Sequence, residues 1–244
     1  MSQESERFRE VRAIGRGRFG QTLLVEDRAD GGRPVVIKVP IDKSTELALI
    51  NELVNTAILF TSLRKMEHPN IVKYLGFDRY KELVVLILEY VDGKDLSQVM
   101  GRFNNRPPLD VNLALRIAID VCSGLVAAHS ASLFHSDLKP ANILVREKDG
   151  VAKLCDFGVS SILRSTSAAE FAGTLLYSAP ELLGGRASFQ ADLWSLAVIL
   201  YEMVTGVVPF AWTGNAHTFK AKVDTEHPSP PKRLNPQVDD RLNA

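Results

Sequence analysis

The chain has 244 residues, 45% hydrophobic and 24% charged, which is the make-up of an ordinary globular protein long enough for one large domain or two small lobes. Lys plus Arg and Asp plus Glu each total 29, so the net charge is zero and bulk electrostatics single out neither nucleic acid nor an anionic membrane as a partner. The N-terminus, MSQESERFRE, lacks an apolar signal core, and the apolar run 83–88 is too short to cross a bilayer, so no membrane segment is expected in this chain. Cys122 and Cys155 sit in apolar stretches without metal-ligand spacing and read as buried thiols kept reduced, which predicts a cytoplasmic location.

Residues 8–14 alternate weakly and lead into Gly15-Arg16-Gly17-Arg18-Phe19-Gly20, after which 22–26 is extended again. Strand, glycine-rich turn and strand make a hairpin whose backbone can lie close over phosphates. A dinucleotide fingerprint would need a helix after the last glycine, and the extended run argues against it. Asp27 to Gly32 is a turn, and the strand 34–39 then carries one lysine, Lys38, among apolar residues. Residues 45–66 have helical periodicity through Leu49, Leu53, Ala57, Phe60 and Leu63. Glu67-His68-Pro69-Asn70 ends that helix, and 82–91 reads as a fully buried strand.

Asp110 is placed to cap a helix over 111–131, whose apolar face is predicted to run through Leu115, Ile117, Ala118, Val121, Cys122, Leu125 and Val126. His129, near its end, reads as structural. The stretch 133–145, LFHSDLKPANILV, then reads as strand, polar loop, strand. Its Asp137, Lys139 and Asn142 bring a carboxylate, an ammonium and a carboxamide together within six residues. That set suits phosphoryl transfer: the carboxylate accepts a hydroxyl proton, the ammonium meets the moving phosphate, and the amide oxygen holds a metal. A short strand over 151–155 ends in Asp156-Phe157-Gly158, which taken alone is either a turn or a ligand-bearing loop. A hydroxyl-rich loop (160–174), Ala179-Pro180-Glu181, an apolar helix opening at Asp192-Leu193-Trp194-Ser195, and a proline-rich loop at 228–236 complete the chain.

The order G-x-G-x-x-G, V-V-I-K, H-x-D-x-K-x-x-N, D-F-G, A-P-E, D-x-W-S resembles the catalytic domain of eukaryotic-type (Hanks-type) serine/threonine protein kinases over residues 8–244. The resemblance implies an α+β, bilobal fold: an antiparallel β N-lobe with one long helix over 1–90, and a mainly helical C-lobe over 91–244. Further helices follow in the family, so the chain reads as C-terminally truncated. ATP with Mg²⁺, or Mn²⁺ in its place, is the implied cofactor pair, and a protein bearing Ser or Thr the implied substrate.

By resemblance Asp137, Lys139 and Lys38 are catalytic, and Asn142 and Asp156 hold the metal. The nucleotide set is Gly15, Arg16, Gly17, Arg18, Phe19, Gly20, Thr22, Val36, Lys38, Leu88 (the gatekeeper), Glu89, Val91, Asp95 (toward the ribose) and Leu144. Val36 stands where the family usually has alanine, and Ala141 where some basophilic members carry an acid. Family spacing puts Leu59 where the helix glutamate that pairs with the strand lysine belongs; Glu52, seven residues earlier on the same face, is the substitute, or the ion pair is missing. Ser136 replaces the usual arginine of the H-x-D triplet, whose guanidinium couples activation-loop phosphorylation to activity. Phosphorylation of Ser165, Thr166 or Ser167 is therefore not expected to be the main on-switch, which leaves control to the 45–66 helix or a partner bound there. Three readings follow: an active serine/threonine kinase, a pseudokinase acting as a nucleotide-binding or scaffold module, and a small-molecule kinase, the last opposed by D-F-G with A-P-E.

Overall fold

In a computed structural model, the structure describes residues 7–17, 20–40, 67–101, 107–157, 175–183, 188–211 and 213–243. The chain divides into two compact units, Met1–His68 with Val72–Val91, and Pro69–Ile71 with Asp92–Ala244.

The first unit is a five-stranded antiparallel sheet, with β1 (Phe8–Gly17), β2 (Gly20–Asp27), β3 (Arg33–Pro40), β4 (Tyr74–Tyr80) and β5 (Leu83–Glu89) ordered β1-β2-β3-β5-β4. The period-2 alternation of strands sorts its side chains. Phe8, Leu23, Val25, Val35, Ile37, Tyr80, Val85 and Ile87 form the core on one face. The register pairs Thr22 with Lys38 and Lys38 with Leu86, and Leu24 with Val36 and Val36 with Leu88, so these residues share the opposite face. Gly20 has a steric reason: a Cβ there would lie 2.0 Å from the Val39 carbonyl oxygen across the β2–β3 pair. The outer strands β1 and β4 are joined by side chains. Tyr80 donates its hydroxyl to Glu10 Oε2 at 2.9 Å, and Arg7 holds Asp27 through two nitrogens while reaching Asp78 with a third.

In the second unit, β6 (Gly93–Asp95), β7 (Ile143–Arg146) and β8 (Ala152–Leu154) form a small antiparallel sheet. The helices are α1 (Leu96–Val99), α2 (Val111–Ser130), α3 (Pro180–Leu183), α4 (Phe189–Thr205), α5 (Ala216–Thr225), α6 (Pro231–Leu234) and α7 (Asp240–Asn243). Asp110 caps α2 by accepting from Leu113 N, Ser188 caps α4, and Gly206, at φ 79°, ends α4 in the left-handed conformation that glycine favours. α2 is long and apolar enough to span a bilayer on length and hydropathy alone. Here it packs on α4 and β8, with Asp120 accepting a hydrogen bond from Ala152 N and Gly124 leaving room for Leu154.

Three expectations need correction. The buried face of α2 is Ala114, Ile117, Ala118, Val121, Gly124, Leu125 and Ala128, while Cys122 and Val126 are exposed, because the inward stripe follows the small residues that let α4 and β8 approach. Residues 133–134 form no strand: the chain leaves α2 through a turn in which Leu133 N donates to Ala128 O. The proline-rich loop contains the short helix α6, whose first residue, Pro231, supplies the φ that a helix start requires. The α+β class, a β-sheet unit and a mainly helical unit, is as expected.

Candidate active site

The loop that follows α2 is built around a buried carboxylate. Asp192, in the first turn of α4, is 1% exposed; its Oδ2 accepts from His135 N at 2.8 Å and its Oδ1 from Ser136 N at 2.9 Å. Ser136 is held at φ 61°, a conformation that costs a non-glycine residue free energy and persists only where neighbours enforce it. His135 is fully buried. Its Nε2–H donates to the Cys155 carbonyl at 2.9 Å, Asp137 N lies 3.4 Å from its Nδ1, and its ring packs 4.7 Å from that of Phe157. Burial holds its pKa below the ordinary imidazole value against the opposing pull of Asp192, Asp137 and Asp156, so it is a neutral support.

That scaffold presents Asp137 with its two oxygens in different situations. Oδ2 accepts from Lys139 Nζ at 2.8 Å and from Asn142 Nδ2 at 3.1 Å. Oδ1 is buried and has no hydrogen-bond partner among the described residues. An unmatched buried acceptor is costly, and Oδ1 is therefore an atom ready to take a donor that the described residues do not supply. Asn142 Nδ2 also donates to Asp137 O at 2.8 Å, so the carboxamide oxygen is the atom left to face a cation. Asn142 lies at the end of a 3₁₀ turn, Pro140–Asn142, and its carbonyl accepts from Cys155 N at 3.0 Å. That bond sets Asp156, at φ 64°, on the strand exit next to the Asn142 turn. Among the described residues no group of three or more His, Cys, Asp or Glu forms a metal cage. An oxygen from Asn142 and one from Asp156 suit a hard divalent cation that takes its other ligands from phosphates and water.

The remaining predicted residues lie where the register puts them. Thr22, Val36, Lys38 and Leu88 share one face of the first unit's sheet. Gly17 and Gly20 pair at the hairpin tip, with Gly15 and Arg16 just before it. The Glu89 side chain is occupied, its Oε1 accepting from Lys73 N at 2.9 Å, and Val91 is buried. In the second unit Leu144 pairs with Asp95. Asp95 also caps α1 through Gln98 N and Ser97 Oγ, a role that the sequence reading missed although Asp followed by Leu-Ser-Gln is a capping pattern. Arg18, Phe19, the 45–66 helix with Glu52 and Leu59, Gly158, Ser165, Thr166, Ser167 and Thr174 lie outside the described residues. At the A-P-E segment Tyr177 donates its hydroxyl to Glu202 at 2.7 Å and its carbonyl accepts from Ser195 Oγ at 2.7 Å, which fastens this stretch to α4.

The family model of the protein kinase domain matches residues 8–241. A probable serine/threonine-protein kinase of Clostridium perfringens is 35% identical over 187 residues, covering 75% of this chain and 27% of that protein. The probable serine/threonine-protein kinase PknB of Lactococcus lactis is 31% identical over 217 residues, covering 84% and 32%. The mitogen-activated protein kinase kinase kinase ANP1 of Arabidopsis thaliana is 34% identical over 248 residues, covering 96% and 36%. The chain belongs to the protein kinase domain family, as a Hanks-type catalytic domain of the serine/threonine class. It spans about a third of the length of these relatives. Members of this family use ATP and a divalent metal ion.

Proposed function

We propose that this domain transfers the γ-phosphoryl group of ATP to serine or threonine hydroxyls of protein substrates. The observation that carries the reading is Asp137, with Oδ2 braced by Lys139 and Asn142 and Oδ1 buried without a partner among the described residues. A substrate hydroxyl seated there donates its proton to Oδ1 as its oxygen bonds to the γ-phosphorus and the bond to the ADP oxygen breaks. Lys139 offsets charge on the transferring group, and Lys38 positions the nucleotide phosphates. The divalent ion, read as Mg²⁺, neutralises phosphate charge when bound, and Asn142 and Asp156 are the residues that would hold it. The family resemblance assigns to the nucleotide Gly15, Arg16, Gly17, Arg18, Phe19, Gly20, Thr22, Val36, Lys38, Leu88, Glu89 and Val91 of the first unit and Asp95 and Leu144 of the second. Intact Lys38, Asp137, Asn142 and Asp156 weigh against a pseudokinase.

Ser136 carries no charge to bind a phosphorylated activation loop, so control falls to the segment 45–66, read as a helix from its sequence, or to a partner bound there. A triple alanine variant at 165–167 that keeps most of its activity would support this. The cytoplasmic setting rests on the cysteine pattern of the sequence alone; of the two thiols expected to be buried, Cys122 is exposed and Cys155 half-buried. The central test is transfer from labelled ATP with Mg²⁺ to generic protein substrates. Asp137→Asn should lower kcat by about 10²–10⁴-fold with ATP binding retained. Wild type no faster than the variant would overturn the reading.

A further inference from the structure

The last residue of β5 is joined to the start of β4 in an irregular way. Leu88 pairs with Tyr74 as the final regular step of the register, and one residue further on Glu89 N donates to Lys73 O at 2.9 Å. In a regular antiparallel ladder the Lys73 N–H would return that bond to the Glu89 carbonyl. It goes to the side chain instead, reaching Glu89 Oε1 at 2.9 Å. The two residues are held from either side. Val72 and Tyr74 are buried around Lys73, whose ammonium pairs with Glu67, and Leu88 and Val91 are buried around Glu89.

We propose that the Glu89 carboxylate is a positioning residue for the nucleotide base, taking the Lys73 amide so that the Glu89 carbonyl can turn out of the ladder toward the base. The proposal rests on the kinase reading above, which assigns Glu89 and Val91 to the nucleotide. A peptide plane is rigid, and a carbonyl aimed along the ladder at Lys73 is turned away from a ligand beyond the strand end. Turning it without a substitute would leave the partly buried Lys73 amide short of an acceptor, which is costly. The side chain of the same residue makes good that loss. Adenine presents an exocyclic amine, a donor, where guanine presents a carbonyl oxygen. A backbone carbonyl aimed at that edge favours adenine and meets guanine acceptor to acceptor. Glu89 thereby sets the preference for an adenine nucleotide without its carboxylate touching the base.

Titrations of ADP and of GDP into two variants test this without turnover. Glu89→Met keeps the reach of the side chain and removes the acceptor; Glu89→Gln keeps an acceptor oxygen and removes the charge. In E89M the Kd for ADP should rise about tenfold, the effect of one lost hydrogen bond, with the Kd for GDP within about twofold of wild type. The preference for ADP then falls about tenfold, and E89Q should hold it to within about threefold of wild type. A preference unchanged in E89M would overturn the proposal. So would an equal weakening of both nucleotides, which marks general loosening, or an E89Q that behaves like E89M. If E89M does not fold, Glu89→Ala takes its place. A wild type that prefers ADP but transfers no phosphate from ATP would defeat the kinase reading alone, and one that binds neither nucleotide would defeat both.

Discussion

The carboxamide nitrogen of Asn142 lies 2.8 Å from the backbone oxygen of Asp137 and 3.1 Å from its Oδ2, so the residue expected to hold a metal also braces the base. Asn142→Asp keeps the shape, removes both donated bonds and sets a second carboxylate against Oδ2. Its kcat should fall by at least about 100-fold. Stability should fall by the lost hydrogen bonding, about 1–3 kcal/mol, together with the repulsion between the two carboxylates. Steady-state kinetics beside a thermal melt separate the two effects.

His135 gives the stability a definite pH dependence. Burial pushes its folded pKa down, whereas in the unfolded chain it titrates near the ordinary value of about 6.5. Below that pH the unfolded chain takes up a proton that the folded chain refuses, so stability falls as pH drops from about 6.5 toward the folded value. Above about 6.5 this group contributes no slope. The fall is at most about 1.4 kcal/mol per pH unit from this residue. Melts between pH 7.5 and 5 should be flatter for His135→Phe than for wild type, whatever the baseline cost of the substitution.

The glycines of the hairpin are not equivalent. At Gly15 a new Cβ would make ordinary contacts with Thr22, near 3.7 Å, whereas at Gly20 it would collide with the Val39 carbonyl. Gly20→Ala should therefore destabilise by about 1–3 kcal/mol, and Gly15→Ala should leave the urea midpoint nearly unchanged. Equal midpoints for the two variants would contradict the β2–β3 register.

The β4–β5 turn places Lys81 at φ 49° and Glu82 at φ 65°. Lys81 is engaged with the Tyr80 ring, but among the described residues Glu82 offers only an exposed 3.6 Å pairing with Arg79. Glu82→Gly relieves the left-handed strain with little lost in return, and should stabilise by about 0.5–1 kcal/mol in urea unfolding.

The loop chemistry was legible because Asp137, Lys139 and Asn142 are within one short segment, where spacing alone constrains their arrangement. The shared face of Thr22, Val36, Lys38 and Leu88 follows from strand periodicity once neighbouring strands are paired. The contact of His129 with Asp192 bridges 63 residues and two helices, and no local pattern announces it. Cys122 and Val126 were misassigned for a related reason. In α2 apolar residues surround much of the helix, so periodicity left the inward face ambiguous, and it was settled by where Gly124 and the alanines allow close approach.

The unmatched Oδ1 of Asp137 also makes the protein a reporter of its own substrates. Any molecule that donates a hydroxyl there completes a bond that none of the described residues supplies, and it does so for the folded state only. Mass action then turns occupancy into resistance to heat, about 2.7 kcal/mol at a hundred times the dissociation constant. Acceptor peptides can thus be ranked by the melting point they confer, before any phosphate has moved.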